Sequence, residues 1–290
     1  LFKTSGSRMN QTYSQTHSLD DLYSLAGKVA LITGSTQGLG EAIARLFATR
    51  NIAGLIVTGR QRDKGQTLAD QFSAQGCHTV FVQADLAHAE AADQLCQAAD
   101  QHFGRIDVLV NAAGDTDRGT VLDTSPALYD RIMAVNVRAP FFLIQKTAQI
   151  MIREQIKGAI INIQSMSAYG GQPFLSAYSL SKGALATLTK NAAYSLMPWH
   201  IRVNGLNIGW MNTPGEDMIN RLRHGAQDGW LEQAVQDLPY QRLVEPAEVA
   251  QACLYFASAA SGLMSGTHLD FDQSVQGAYD SAPRPASKHD

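Results

Sequence analysis

Seven short β-branched runs separated by longer amphipathic stretches predict an α/β chain: a doubly wound parallel sheet of about seven strands with helices on both faces. Two further observations support it. A glycine-rich turn lies directly between the first run and the first helical stretch, and neither an internal repeat nor a second apolar core interrupts the alternation.

The strand candidates, in order, are KVALIT from Lys28, GLIVTG, TVFVQA, IDVLVNA, GAIINI, IRVNGLNI and GTHLDF. Helical patterns occupy roughly 39 to 50, 88 to 103, 126 to 153, 176 to 196 and 246 to 259, with Pro246 suited to a first turn. The longest irregular stretch, roughly 208 to 240, falls between the sixth and seventh strands and carries two tryptophans. An insertion of this size at the carboxyl edge of a sheet predicts a substrate flap over the ligand crevice; the plainer alternative is a surface helical hairpin. Residues 1 to 8 precede Met9 and read as a tag remnant, and the polar stretch to about Ser18 is expected to be a flexible tail. A single domain over 19–279 and a C-terminal tail over 280–290 complete the expected organisation.

A chain of 290 residues, 45% of them hydrophobic, can bury a substantial core. Its net charge of -3 gives no overall attraction to nucleic acid or an anionic membrane, so neither is expected as a partner. Cys77, Cys96 and Cys253 lie far apart without a CxxC, which predicts free thiols in a reducing compartment. The eight histidines show no metal-ligand spacing, so no metal is expected. No apolar run is long enough to cross a membrane and no signal-peptide core is present, which predicts a cytoplasmic protein.

The turn TGSTQGLG spans Thr33 to Gly40. Gly34, Gly38 and Gly40 permit a tight turn, close approach of backbone to a pyrophosphate, and close packing of helix on sheet. Ser35, Thr36, Gln37 and Leu39 complete the loop, whose helix N-terminus would face phosphate with free N–H groups. After the second strand comes VTGRQRDK, with Gly59 where an NAD-type carboxylate would sit and Arg60 next. That pattern favours NADP(H), with NAD(H) possible; Arg60 would meet the 2′-phosphate and Arg62 would add charge.

In SAYSLSK, Tyr178 and Lys182 are one helical turn apart and share a face. With them come a GxxxGxG turn, NAAG over Asn111 to Gly114, VNV containing Asn136, and NIQS, which sets Ser165 thirteen residues before Tyr178. This ordered set, across about residues 26 to 273, resembles the short-chain dehydrogenase/reductase family. The resemblance implies a Rossmann fold, an NAD(P)-dependent alcohol–ketone oxidoreductase, and a catalytic set of Asn136, Ser165, Tyr178 and Lys182. It also implies cofactor contacts at Asp85 and Leu86 beside the adenine, at Asn111, Ala112 and Gly114, at Gly209, and at Thr213 on the carboxamide. Tyr178 would exchange the proton, Lys182 would lower its pKa and hold the nicotinamide ribose, and Ser165 would fix the substrate oxygen. Asn136 would hold a water that relays protons through Lys182.

Ile208-Gly209 replaces the family's usual Pro-Gly, which predicts a less rigid backbone at the nicotinamide. Asp272-Gln273-Ser274 stands where Asp-Gly-Gly is frequent. The flanking strings resemble a bacterial sugar and polyol subgroup. Asp115, Asp117, Arg118, Gln172, Asn212, Glu216, Asp217, Arg221 and His224 suit a sugar, polyol or other small polar carbonyl. Tyr169, Phe174, Trp210, Met211 and Trp230 keep a hydrophobic or acyl-type ketone as the alternative, and a non-catalytic nucleotide-sensing protein is a further one. The helical stretches at 126 to 153 and 176 to 196 are apolar over more than one sheet face can cover, and in the resembled family they pair across a two-fold axis. A homotetramer is expected, with a dimer as the fallback.

Overall fold

In the computed structural model, residues 18–278 are described; the expected tails, 1–18 and 280–290, lie outside them except for Ser18. A short helix α1 (Leu19–Leu22), closed by a Ser18–Asp21 capping box, leads into β1 (Val29–Ile32). There follow α2 (Gly38–Ala48), β2 (Gly54–Gly59), α3 (Arg62–Ala74), β3 (Thr79–Gln83), α4 (Ala91–Phe103) and β4 (Val108–Asn111). Next come α5 (Pro126–Met133), a π turn over Ala134–Arg138, α6 (Ala139–Arg153), β5 (Ala159–Ser165) and α7 (Ser176–Leu196). The chain ends through β6 (Arg202–Ile208), α8 (Pro214–His224), α9 (Trp230–Ala234), α10 (Pro246–Ala257) and β7 (His268–Phe271).

The seven strands form one parallel sheet in the order β3-β2-β1-β4-β5-β6-β7. Successive side chains on each strand enter opposite layers. Ala30 and Ile32 join the core beneath α2, α3 and α10, whereas Leu31 joins that beneath α4, α6 and α7. The five inner strands are almost wholly buried, which is why they read as near-continuous apolar runs, whereas the edge strands β3 and β7 are part-exposed. The chain winds outward from β1 to β3 and then returns past β1 to β4. That reversal opens a crevice at the carboxyl ends of β1 and β4.

Three elements differ from expectation. The helix α3 is absent from the helical patterns read above, because in RDKGQTLADQFSA only Gly65, Leu68, Ala69 and Phe72 are buried. Gly65 belongs there because a Cβ would come within 2.0 Å of the Phe81 ring. The stretch 126 to 153 is broken by the π turn, in which the Ala139 N–H reaches back five residues to the Ala134 carbonyl. The 208 to 240 stretch is not wholly irregular, since it holds the two helices α8 and α9. Thr213 caps α8, Pro214 opens it, and acidic Glu216 and Asp217 precede basic Arg221, Arg223 and His224, as the helix dipole favours.

A buried polar seam ties α7 to the sheet. Asn111 Nδ2 donates to Asn162 Oδ1 at 2.8 Å, and Asn162 Nδ2 and Gln164 Nε2 both donate to Thr189 Oγ1 at 2.8 Å. Thr189 in turn donates to the Leu185 carbonyl, and the Gln164 Oε1 pairs with His268 Nδ1, both at 2.8 Å. A hydrogen-bonded chain therefore runs from β4 through β5 and α7 to β7.

Candidate active site

The glycine turn between β1 and α2 has the conformation its sequence requires. Gly34 and Gly38 have φ of +63° and +55°, the left-handed region that favours glycine. Gly40 allows the helix to sit on the turn, since a Cβ there would come within 2.4 Å of the Gly34 carbonyl oxygen. Gln37 gives α2 no side-chain cap, so its first-turn N–H groups face the cleft unclaimed by a side chain. Thr213 hangs over Gly38 from the flap, with Cγ2 3.6 Å from where a Cβ would stand. Loop, helix end and lining residues together fit the diphosphate of a dinucleotide.

At the other side of the cleft, Ser165 ends β5 and Tyr178 stands in the first turn of α7, both lining the cleft. Burial raises the Tyr178 phenol above its ordinary range, opposed by Ser165 and then by the positive charge of Arg118, while Glu216 adds to the rise. Lys182 is 4% exposed. Its Nζ donates to the Ile163 carbonyl at 2.8 Å and lies 5.6 Å from the Tyr178 ring centroid. Burial pushes its ammonium down to about 8. The expected lowering of the phenol pKa therefore does not dominate among the protein's own groups; desolvation does.

Asn136 sits in the π turn, 1% exposed. Its Oδ1 accepts from the Asp115 N–H at 2.8 Å, and its Nδ2 donates to the Asp115 carbonyl at 2.9 Å and to Ser181 Oγ at 3.0 Å. The side chain thus clamps the loop after NAAG to α7.

The far end of the cleft is polar and charge-balanced. Arg118 pairs with Glu216 of α8 at 3.2 Å and donates to the Thr116 carbonyl. Arg131 bridges Asp115 and Asp117, and Arg223 of α8 also reaches Asp117 at 2.7 Å. The Trp210 indole donates to Glu216, and the Phe174 ring packs edge-on to His224.

The cleft of 1990 Å³ is about twice the upper size of a usual small-ligand pocket, room for a dinucleotide and a substrate together. Of the residues expected from sequence, Gly34, Thr36, Gln37, Gly38, Leu39 and Gly40 line it, as do Arg60, Asp85, Leu86, Ala112 and Gly114. Ser165, Tyr178, Lys182, Gly209 and Thr213 line it as well.

Two residues expected to touch the cofactor, and one expected to be catalytic, lie behind the cleft wall. Ser35 is fully buried beneath the turn, donating to the Ile32 carbonyl and accepting from the Thr58 N–H. Asn111 turns its amide into the sheet toward Asn162. Both support the cleft from behind. Asn136 also stands outside the lining.

At Gly209 the chain is held despite the missing proline: its N–H donates to the Phe271 carbonyl at 3.0 Å, and a Cβ would stand 1.8 Å from Asp272 Oδ1. Gln273 fastens the flap's return arm, accepting from the Tyr240 N–H and donating to the Arg242 carbonyl. Sequence reading did not anticipate the roles of Arg131, Arg223 and Gln273; Arg223, seven residues after Glu216 on one helix face, was the findable one.

The topology, the glycine turn and the presence of Ser165 and Tyr178 in one cleft define a nucleotide-dependent oxidoreductase of the doubly wound α/β class. Residues 34–275 match the family model described as enoyl-(acyl carrier protein) reductase. A short-chain type dehydrogenase/reductase from Mycobacterium marinum is 30% identical, with a TM-score of 0.79 over 88% of this chain and 98% of that one. A gluconate 5-dehydrogenase from Burkholderia cenocepacia J2315, solved with NADP and tartrate, is also 30% identical, with a TM-score of 0.79 over 88% and 98%. L-Sorbose reductase from Gluconobacter frateurii, solved with NADPH and L-sorbose, is 27% identical, with a TM-score of 0.80 over 87% and 97%. The chain belongs to the short-chain dehydrogenase/reductase family. Among the described residues no helix is long and apolar enough to cross a membrane, and no cluster of three metal-ligating side chains occurs.

Proposed function

We propose that this oxidoreductase interconverts a secondary alcohol and a ketone on a small polyhydroxylated substrate, with NADP(H) as its cofactor. The observation that carries the reading is the gathering of Ser165, Tyr178 and buried Lys182 in one cleft continuous with the glycine turn. The cofactor, when bound, supplies or accepts the hydride. Tyr178 Oη gives the proton to the carbonyl oxygen in reduction and takes it back in oxidation. Ser165 Oγ donates to the same oxygen and fixes it against the tyrosine. Lys182 places its charge one turn below and would hold the nicotinamide ribose, and Asn136 keeps the neighbouring loop closed.

Support for NADP(H) comes from exposed Arg60 at the cleft rim, the absence of a side chain at Gly59, and the NADP and NADPH in the two sugar-enzyme relatives. Arg62, by contrast, opens α3 outside the cleft lining. Support for a polyhydroxylated substrate comes from Arg118, Glu216 and Gln172, polar side chains that line the cleft together with Tyr178. A cytoplasmic homotetramer belongs to the same proposal: the free, buried Cys77, Cys96 and Cys253 fit a reducing compartment. Titrating the protein with NADPH and NADH and then assaying a panel of ketoses, polyols and apolar ketones tests it. Activity confined to apolar ketones would overturn the substrate class, and no turnover with any carbonyl would overturn the reaction.

A further inference from the structure

Each of the three guanidinium nitrogens of Arg118 is already engaged by the protein. Its Nε donates to His224 Nε2 at 3.4 Å, its Nη1 to the Thr116 carbonyl at 2.6 Å and its Nη2 to Glu216 Oε1 at 3.2 Å. The same Glu216 oxygen accepts from the Trp210 indole at 2.9 Å and from Asn220 Nδ2 at 3.0 Å, so the carboxylate is held in place. Its other oxygen, Oε2, is open to solvent and accepts from none of the described residues. Glu216 and Arg118 line the same cleft as Tyr178, whose phenol feels both charges. The two neighbouring arginines are matched as well. Arg131 bridges Asp115 and Asp117, and Arg223 shares Asp117, so three arginines face three carboxylates and this wall carries no net charge.

We infer that the substrate is an uncharged polyol or ketose, one of whose hydroxyls donates to Glu216 Oε2, and that Glu216 turns away sugars bearing a carboxylate or phosphate. The inference rests on the polyhydroxylated reading above and narrows it. A hydroxyl donating to an ionised carboxylate makes a charge-assisted bond, roughly twice as strong as a neutral one. An anion meets the same wall differently. Arg118 can serve it only by releasing Glu216, which leaves a fixed carboxylate without its cation and beside a second negative group. Selection then comes from repulsion as much as from fit.

The test compares ketoses with ketoaldonates of the same chain length, using the cofactor that the protein binds more tightly and working on the pH plateau. For the wild type, kcat/KM should be at least tenfold higher for the ketose. Glu216→Gln should close that gap at least tenfold, chiefly through KM, whereas Glu216→Asp, which keeps the charge, should keep the ranking. Tartrate, a hydroxylated dicarboxylate, should inhibit Glu216→Gln at least tenfold more strongly than the wild type. A wild type that prefers the ketoaldonate would overturn the inference and leave the polyhydroxylated reading standing. An unchanged gap in Glu216→Gln, or its loss in Glu216→Asp, would remove the carboxylate from selection. Turnover of apolar ketones alone would overturn the polyhydroxylated reading and this inference with it.

Discussion

Arg118 and Glu216 form an ion pair 3.2 Å long across the mouth of the cleft, with their side chains 13% and 17% exposed, and they act on Tyr178 with opposite sign. In reduction Tyr178 must hold its proton, so the rate falls as pH rises through its pKa. Arg118→Gln removes a positive neighbour that lowers the phenol pKa and should move that limb to higher pH. Glu216→Gln removes a negative neighbour that raises it and should move the limb lower. Profiles of kcat/KM against pH check this; shifts in the same direction would separate the pair from the tyrosine.

Tyr178→Phe should lower turnover by ~10²-fold or more, the usual contribution of acid–base catalysis, because only the exchangeable proton is lost. NADPH titration of the variant should match the wild type. Turnover above about a tenth of wild type would place the proton elsewhere.

Lys182 gives a stability signature. Burial lowers its folded pKa from 10.5 to about 8. Below pH 8 both folded and unfolded forms are protonated and the burial cost is full; between 8 and 10.5 the unfolded chain binds more protons, so stability rises with pH. The gain is about 3 kcal/mol across that window. The melting temperature of the wild type relative to Lys182→Met should therefore climb from pH 7.5 to 9.5. A constant difference would mean that the ammonium is not held in a dry site.

Asn136→Ala removes three hydrogen bonds and strands the Asp115 N–H and carbonyl. The expected cost is about 2–4 kcal/mol, read by urea unfolding, together with reduced turnover. Unchanged stability would contradict the clamp.

Much of this was legible in the sequence. All seven strands were: five are almost wholly buried and read as apolar runs, while the part-exposed edge strands β3 and β7 were marked by their place in the alternation; the glycine turn was, because its φ angles and close approaches admit little else. Less visible was α3, whose polar surface hides a narrow buried stripe. The π turn was invisible too: it coincides with the tertiary clamp at Asn136, which no local pattern announces. Ser35 and Asn111 show the limit of motif reading, since a motif marks residues that build a site together with those that touch a ligand.

The large apolar side chains left exposed on the two long helical segments give the assembly prediction. Phe141 and Phe142 on α6 are 46% and 38% exposed, and Leu180 and Tyr194 on α7 are 54% and 80% exposed. Light scattering should give about four times the 31.4 kDa chain mass, or twice it for the dimer. Tyr194→Glu should reduce it. A fully active monomer at micromolar concentration would refute the assembly.

The seam through Thr189 also bears on how this protein can change over time. A slip of α7 by one residue would swing Thr189 by about 100° and forfeit its bonds to Asn162 and Gln164. The phase of the helix, and with it the reach from Tyr178 to Ser165, is thus set by directional bonds that only a few side chains can make. The surrounding aliphatic residues are relieved of that duty. Neutral drift can reshuffle their sizes around the seam, and the catalytic geometry will be inherited intact so long as Asn162, Gln164 and Thr189 persist.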